Sequence, residues 1–136
     1  MLTRLSVVSL ALLSFALVRV ASAAEPTKDT LDTVKDNLAQ KKALLVDVRE
    51  TEEWKAGHLS QALNVPLSMI KDGAEMKDFG AVLAQQMPKD KVIYLHCKAG
   101  ARCLAAADLL KKYGYDVRPL KAGFDDLVKA GFPKAK

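Results

Sequence analysis

The apolar positions of the chain fall into two patterns. Residues 92–95 form a continuous apolar run without alternation, which is typical of a strand buried on both faces of a parallel sheet. From Cys103 to Leu110 the apolar residues recur at helical spacing, and Gly114 follows as a stop signal. The pattern therefore predicts a strand, a tight loop and then a helix over residues 102–113.

The same two patterns alternate along the rest of the chain. Apolar runs predict further strands at residues 43–46, 62–65 and 116–120. Helical spacing and capping residues predict helices at residues 30–40, 51–54, 76–87 and 124–130. Because strands alternate with helices throughout, we predict an α/β fold whose parallel sheet is covered by helices on both faces.

The start of the chain has the composition of a targeting signal. Arg4 supplies a short positive region, residues 5–18 an apolar core, and residues 21–23 a small-x-small site for a signal peptidase. The apolar run is shorter than the roughly 20 residues needed to span a bilayer, so we expect cleavage and no stable membrane anchor. We therefore predict a signal peptide at 1–23 and a mature domain at 24–136 that resides in a bacterial periplasm.

The charge of the chain argues against nucleic-acid binding. The 21 basic and 16 acidic residues become 19 and 16 when Arg4 and Arg19 leave with the signal peptide, a net charge of +3. The lysines are scattered as on a solvated surface, and no basic block is interleaved with aromatic residues. The remaining length suits one domain with a single core.

The predicted loop between strand and helix, residues 97–102, is suited to holding an anion. A short loop that opens into a helix leaves backbone N–H groups unpaired and directs the positive end of the helix dipole into the loop. Lys98 and Arg102 add positive charge, Gly100 allows the backbone to curl inward, and no carboxylate is present. We therefore predict Cys97 as a nucleophile; the alternative is a buried structural thiol at a strand end.

Several short motifs follow one another in a fixed order. They are Leu44-Leu45-Val46-Asp47-Val48-Arg49-Glu50 with Glu53-Trp54, Gly57-His58-Leu59, Ala62-Leu63-Asn64-Val65-Pro66-Leu67, Cys97-Lys98-Ala99-Gly100-Ala101-Arg102, Leu120-Lys121-Ala122-Gly123-Phe124 and Gly131-Phe132-Pro133. Together they resemble a single-domain rhodanese, a sulfurtransferase, over nearly the whole chain after residue 30. The resemblance implies the rhodanese-like three-layer fold, with about five strands in the sheet.

The resemblance also implies a reaction. The Cys97 thiolate takes the outer sulfur of a small anionic donor such as thiosulfate, and a thiophilic acceptor, cyanide or a thiol, then removes it from the Cys97 persulfide. The residues expected to bind the substrate through their backbone N–H groups are Lys98, Ala99, Gly100, Ala101 and Arg102. We expect no cofactor and no metal, since the two histidines are too isolated to form a metal site.

Asp47 and Arg49 end the strand predicted beside the central one. One interpretation is an ordinary ion pair, which contributes little if it is exposed. The resemblance implies instead that the pair supports the catalytic loop, with Glu53 as a partner of Arg49. We expect His58 to position the entry to a strand, and His96 to point away from the nucleophile because strand side chains alternate.

The spacing of Cys97 and Arg102 separates two classes of enzyme. Cysteine phosphatases use C-x-x-x-x-x-R, one residue longer than in this chain, because their loop must enclose three phosphoryl oxygens. A persulfide adds a single sulfur, so the shorter loop favours sulfur transfer over phosphoryl transfer.

Two other functions stay open: a sulfane-sulfur carrier or sensor without turnover, and a thiol–disulfide redox protein using both cysteines.

Two positions depart from the family pattern. Ala122 replaces the first glycine of a pair before the last helix, which an Ala can do where φ stays negative. Cys103 stands where the family more often has Ser, Thr or a small apolar residue. One interpretation is that Cys103 is a buried small hydrophobe. The other is that Cys103 is a resolving thiol, which attacks the persulfide or oxidised form of Cys97 or pairs with it in a disulfide. If a stable disulfide forms, sulfur transfer requires a periplasmic thiol reductant.

Overall fold

The structure is a computed structural model that describes residues 22–136. The predicted signal peptide at 1–23 lies almost entirely outside the described residues. Within the described part, four strands form one parallel sheet in the order β2-β1-β3-β4. The strands are β1 (Ala43–Asp47), β2 (Ala62–Asn64), β3 (Val92–His96) and β4 (Asp116–Pro119).

Helices separate the strands, as the alternating pattern predicted. They are α1 (Leu31–Ala39), α2 (Thr51–Ala56), α3 (Leu67–Gly73), α4 (Phe79–Gln86), α5 (Ala101–Leu110) with a following 3-10 turn (Lys111–Tyr113), and α6 (Phe124–Lys129). Within residues 22–136, none of the helices combines the length and apolarity required to cross a membrane.

Two helical predictions differ from the structure. We predicted no helix at α3, because its buried residues, Leu67, Ile70 and Gly73, span only two turns and give little periodic signal. Helix α4 begins at Phe79 rather than at Met76, which lies in the bend before it and is 66% exposed. Helix α3 begins beside the end of β1, where Leu67 N–H donates to Val48 O at 3.0 Å.

The sheet has four strands in the described residues, whereas the family resemblance implied about five. The extended segment before α1 approaches the edge of β4, where Thr27 N–H donates to Pro119 O at 2.7 Å. It forms no further strand because the chain turns into α1 at Thr30, whose side chain caps that helix.

Side chains of the central strands alternate between two hydrophobic layers. Val46, Ile93 and Leu95 face the layer formed with α3, α4 and α5, whereas Leu45 and Tyr94 face the layer formed with α1 and α6. All five side chains are fully buried. Burial of both faces explains why these strands are continuous apolar runs, and it confirms the predicted three-layer arrangement.

The carboxyl ends of β1 and β3 lie side by side at one rim of the sheet. Their register pairs Asp47 with His96, and Val48 N–H donates to His96 O at 3.0 Å. Cys97 therefore leaves β3 next to the turn that carries Arg49. Open α/β sheets bind their ligands at such a rim, which places the candidate site here.

Candidate active site

Cys97 lies at the base of the loop that joins β3 to α5. Only 1% of the residue is exposed. The backbone N–H of Gly100 donates to Cys97 Sγ at 3.0 Å, so the loop curls back over the sulfur. This curl requires φ = 94° at Gly100, in the left-handed region where a side chain would be strained.

The surroundings of Cys97 stabilise its thiolate. They lower the pKa of Cys97 to about 5, chiefly through the thiol of Cys103, and against the opposing effect of burial. The backbone N–H groups of Cys103, Ala99 and Gly100 lower the pKa further. At neutral pH Cys97 is therefore a thiolate, which is the nucleophilic form of the side chain.

Cys103 lies in the first turn of α5 and is fully buried. Its Sγ is 3.7 Å from Cys97 Sγ, 2.9 Å from Gly100 O and 3.4 Å from Leu120 O, and both cysteines are free thiols. The hydrogen bond to Cys97 and burial raise the pKa of Cys103, so this thiol keeps its proton. Cys103 is thus a buried small side chain and, at the same time, a direct neighbour of the predicted nucleophile.

Arg102 forms a bidentate ion pair with Glu53. Its Nη1 and Nη2 atoms lie 2.5 and 2.9 Å from the two carboxylate oxygens, and the hydrogen bonds from Arg102 lower the pKa of Glu53 to about 2. The predicted partnership of Glu53 with Arg49 is therefore wrong. The reason is that Glu53 faces α5 from the first turn of α2, where it also accepts a hydrogen bond from Glu50 N–H. At this rim of the sheet, the positive charge of Arg102 is therefore balanced by the carboxylate of Glu53.

Asp47 and Arg49 form a buried ion pair, with Arg49 Nη2 at 2.8 Å from Asp47 Oδ2. The same Nη2 donates to Gly57 O at 2.7 Å, and the guanidinium lies 4.2 Å from the centre of the Phe124 ring. Phe124 N–H in turn donates to Cys97 O at 2.9 Å. The pair is not an exposed strand-end contact, because both side chains are buried. It also connects through Phe124 to Cys97, the residue that starts the loop between β3 and α5.

Gly123 determines how closely the start of α6 approaches this loop. A Cβ atom at Gly123 would lie 1.8 Å from Lys98 O and 2.6 Å from the carbonyl carbon of Lys98. Its φ of −84° is ordinary, so the requirement for glycine is one of space alone. Ala122 has no positive φ, which explains why the first glycine of the family's pair is dispensable here and the second is not.

The histidines lie outside the loop that surrounds Cys97. His96 is fully buried with its Nε2 3.7 Å from Asp47 Oδ2, and burial lowers its pKa, so the ring is neutral. His58 stacks on Trp54 at 3.5 Å and its Nδ1 lies 2.8 Å from Trp54 O. In the part of the chain that the structure describes, no three His, Cys, Asp or Glu side chains group as metal ligands.

The family of the chain is established by comparison with known proteins. The model of the Rhodanese-like domain matches residues 30–130, a range that includes the sheet, the loop and both cysteines. The chain therefore belongs to the rhodanese-like domain family, which confirms the resemblance found in its motifs. Its structure matches the human single-domain sulfurtransferase TSTD1 with a TM-score of 0.63 and 27% identity, over 78% of this chain and 97% of that one.

Three further proteins are similar to this chain in sequence or in structure. The single-domain sulfurtransferase RDL2 of Saccharomyces cerevisiae matches with a TM-score of 0.62 and 27% identity, over 82% of this chain and 95% of that one. Thiosulfate:glutathione sulfurtransferase of Homo sapiens is 35% identical over 90 residues, which are 63% of this chain and 78% of that protein. Protein YqhL of Bacillus subtilis is 36% identical over 85 residues, and the match spans 62% of this chain and 60% of YqhL.

The family includes proteins with other named activities. A tRNA uridine(34) hydroxylase of Erwinia tasmaniensis is 34% identical over 74 residues, which make up 54% of this chain but only 20% of that protein. Membership of the family therefore defines the domain, and the choice of reaction depends on the chemistry of the site.

Proposed function

We propose that this protein is a thiosulfate-type sulfurtransferase that carries a sulfane sulfur on Cys97 as a persulfide. The observation that carries the proposal is the position of Cys97 at the rim of the sheet, where Gly100 N–H donates to its Sγ at 3.0 Å and the surroundings lower the pKa of the thiol to about 5. The name of the human relative, thiosulfate:glutathione sulfurtransferase, supports a thiosulfate-like donor and a thiol acceptor.

The reaction takes two displacements at sulfur. In the first, the Cys97 thiolate attacks the outer sulfur of thiosulfate, a new S–S bond forms, and sulfite leaves with the electron pair of the donor's S–S bond. In the second, an external thiolate or cyanide attacks the outer sulfur of the persulfide, and Cys97 leaves as a thiolate. The low pKa that makes Cys97 a nucleophile at neutral pH also makes it a good leaving group in the second displacement.

The loop stabilises negative charge on sulfur in both states. Gly100 N–H lies 3.0 Å from Cys97 Sγ, and hydrogen-bond donors that are already oriented cost no rearrangement when an anionic sulfur forms. Lys98 is exposed at the same loop and adds positive charge towards an anionic donor, whereas Arg102 is already paired with Glu53. We expect the backbone and Lys98 to contribute more than Arg102 to the binding of the donor.

Replacement of Cys97 by Ser tests the proposal. A serine hydroxyl is not ionised at neutral pH and forms no persulfide, so we expect Cys97→Ser to lose sulfite release from thiosulfate completely. The measurements are sulfite released per chain, intact mass with the modified peptide mapped, and circular dichroism as a check of folding. In Cys103→Ser, which keeps the nucleophile, the added sulfur should map to Cys97. Sulfite release that persists in folded Cys97→Ser would exclude the proposed nucleophile.

The location of the reaction belongs to the same proposal. The composition of residues 1–23 favours export, and we propose that the domain acts in a bacterial periplasm. Small thiols are kept oxidised in such compartments. The second displacement therefore requires a thiol acceptor or a thiol reductant delivered to the periplasm.

A further inference from the structure

Cys103 has no chemical step in the two displacements above. Its thiol is fully buried, and its Sγ lies 3.7 Å from Cys97 Sγ. Its other polar contacts, Gly100 O at 2.9 Å and Leu120 O at 3.4 Å, belong to the loop and to the residue after β4 that closes over it. The first turn of α5 thus holds the second of the chain's two cysteines directly against the reacting sulfur.

The enclosure of Cys97 favours an acceptor inside the protein. A persulfide has an outer sulfur, which extends away from Cys97, and an inner sulfur, which is Cys97 Sγ itself. Because only 1% of Cys97 is exposed, an external thiol has little access to the inner sulfur. Cys103 is already there, and holding two reactants in contact converts a bimolecular step into a unimolecular one.

We propose that Cys103 resolves the Cys97 persulfide internally and releases hydrosulfide. The inference rests on the persulfide of the proposed function. Cys103 Sγ attacks Cys97 Sγ, a disulfide bond forms between them, and the bond between Cys97 Sγ and the outer sulfur breaks. The electron pair of the broken bond leaves with the outer sulfur, which takes the Cys103 proton and departs as hydrosulfide.

The step balances without an oxidant. The sulfane sulfur is reduced to hydrosulfide while two cysteine sulfurs are oxidised to a disulfide. From their separation of 3.7 Å, the sulfurs must approach by roughly 1.7 Å to reach a bond of about 2.0 Å. An external reductant of the thiol class then supplies two electrons and restores both thiols. Over one cycle, thiosulfate and two external thiols give sulfite, hydrosulfide and an external disulfide.

The location of the Cys103 proton suits this order of events. Before sulfur is loaded, the hydrogen bond to the Cys97 thiolate and burial raise the pKa of Cys103 and hold its proton in place. Loading moves the negative charge from Cys97 Sγ to the outer sulfur, so the hydrogen bond to Cys97 Sγ loses its charged acceptor. The outer sulfur is then the base that receives the proton as Cys103 attacks.

The test compares the wild-type protein with Cys103→Ser under anaerobic conditions and without added thiol. Both fully reduced proteins are mixed with thiosulfate, and in parallel with inorganic polysulfide, which loads sulfur without requiring use of thiosulfate. Samples quenched at successive times are analysed by intact mass and peptide mapping, and hydrosulfide is compared with sulfite in the thiosulfate arm. Ser suits this position because its hydroxyl can still donate to Gly100 O or Leu120 O.

The wild-type protein should lose two hydrogen atoms and yield a linked Cys97–Cys103 peptide, with one hydrosulfide for each sulfite. Cys103→Ser should keep the added sulfur on Cys97 and release at least tenfold less hydrosulfide. A wild-type protein that retains its persulfide, or a variant that releases hydrosulfide as fast as the wild type, would overturn the inference. If Cys103→Ser does not fold, the wild-type masses alone decide between persulfide and disulfide.

The two arms separate this inference from the proposed function. Disulfide formation after polysulfide, together with no reaction with thiosulfate, would support internal resolution and overturn the thiosulfate donor. A stable persulfide in both arms would support the proposed function and overturn internal resolution. If neither thiosulfate nor polysulfide modifies Cys97, both the proposed function and internal resolution are overturned.

Discussion

The sulfur of Cys97 receives hydrogen bonds from the thiol of Cys103 and from the backbone of the loop. Replacement of Cys103 by Ala removes the largest of these contributions. Since a hydrogen bond to a charged group contributes about 1.5–3 kcal/mol, or about one to two pKa units, we expect the pKa of Cys97 to rise from about 5 to about 6–7. The thiolate is present above the pKa and is lost as the pH falls through it, so the active range of the variant begins at higher pH.

The titration is measured by the ultraviolet absorbance of the thiolate between acidic and neutral pH. Cys103 does not interfere in the wild type, because its own pKa is raised. Cys103→Ser retains a hydrogen-bond donor at the same place and should move the pKa of Cys97 less than Cys103→Ala does. A pKa that is the same in the wild type and in Cys103→Ala would show that the backbone alone stabilises the thiolate.

At the scale of the elements, the contact between α6 and the loop after β3 leaves no room for a side chain at Gly123. In Gly123→Ala the new Cβ must displace the Lys98 carbonyl, which begins the curl of the loop over Cys97. We expect overpacking to lower the free energy of unfolding by about 1–3 kcal/mol, with slower sulfur loading from thiosulfate. Urea denaturation and the rate of persulfide formation measure the two effects.

Gly80→Ala is the matched control for this substitution. Gly80 lies in α4, away from the loop, and its added Cβ would meet the Tyr113 ring at 3.3 Å. Alanine also favours a helix over glycine. We expect Gly80→Ala to keep the loading rate of the wild type. Equal loading rates in Gly123→Ala and the wild type would mean that α6 does not hold the loop.

Predictions of elements succeeded where a periodic signal was long enough. β1, β3 and α5 were predicted because their buried runs are continuous or recur at helical spacing. α3 was missed because Leu67 and Ile70 provide too short a pattern, and the start of α4 was placed too early because an apolar residue, Met76, precedes it in an exposed bend. An apolar pattern in the sequence indicates burial. Predictions from it fail where an element buries only a few residues or where an apolar residue is exposed.

At the scale of the whole molecule, the predicted site of signal cleavage, after Ala23, adjoins the folded domain. The backbone N–H of Ala24 donates to Asp108 Oδ1 on α5 at 2.6 Å. Cleavage after Ala23 makes this nitrogen the α-ammonium group, so the hydrogen bond becomes an ion pair with the helix that carries Cys103. We expect expression of the full chain in a bacterial host to give periplasmic protein that begins at Ala24, as measured by cell fractionation and N-terminal sequencing.

Ala23→Phe provides the control for processing, since a bulky residue at this position removes the small-x-small pattern. We expect the variant to retain residues 1–23. Recovery of the wild-type chain from the cytoplasm with Met1 at or near its start would contradict both the cleavage site and the periplasmic location. Retention in the membrane fraction would instead indicate an uncleaved anchor.

The sequence by itself determined the layered α/β architecture and the loop at the end of β3, and it supplied the prediction that Cys97 is the nucleophile. Each of these depends on neighbours in the chain: apolar runs, helical spacing, and a glycine and basic residues within six positions of the cysteine. The resemblance to rhodaneses added the prediction that Asp47 and Arg49 support the loop. These features are local, so the order of residues is sufficient to find them.

Only the tertiary structure decided which groups touch. It paired Arg102 with Glu53, 49 residues apart, and connected Arg49 to the loop through Phe124. It also brought Cys103 to 3.7 Å from Cys97 rather than leaving it as one more apolar residue of α5. Such contacts depend on how helices pack across the rim of the sheet, and a spacing along the chain does not specify the distance and direction between two side chains in space.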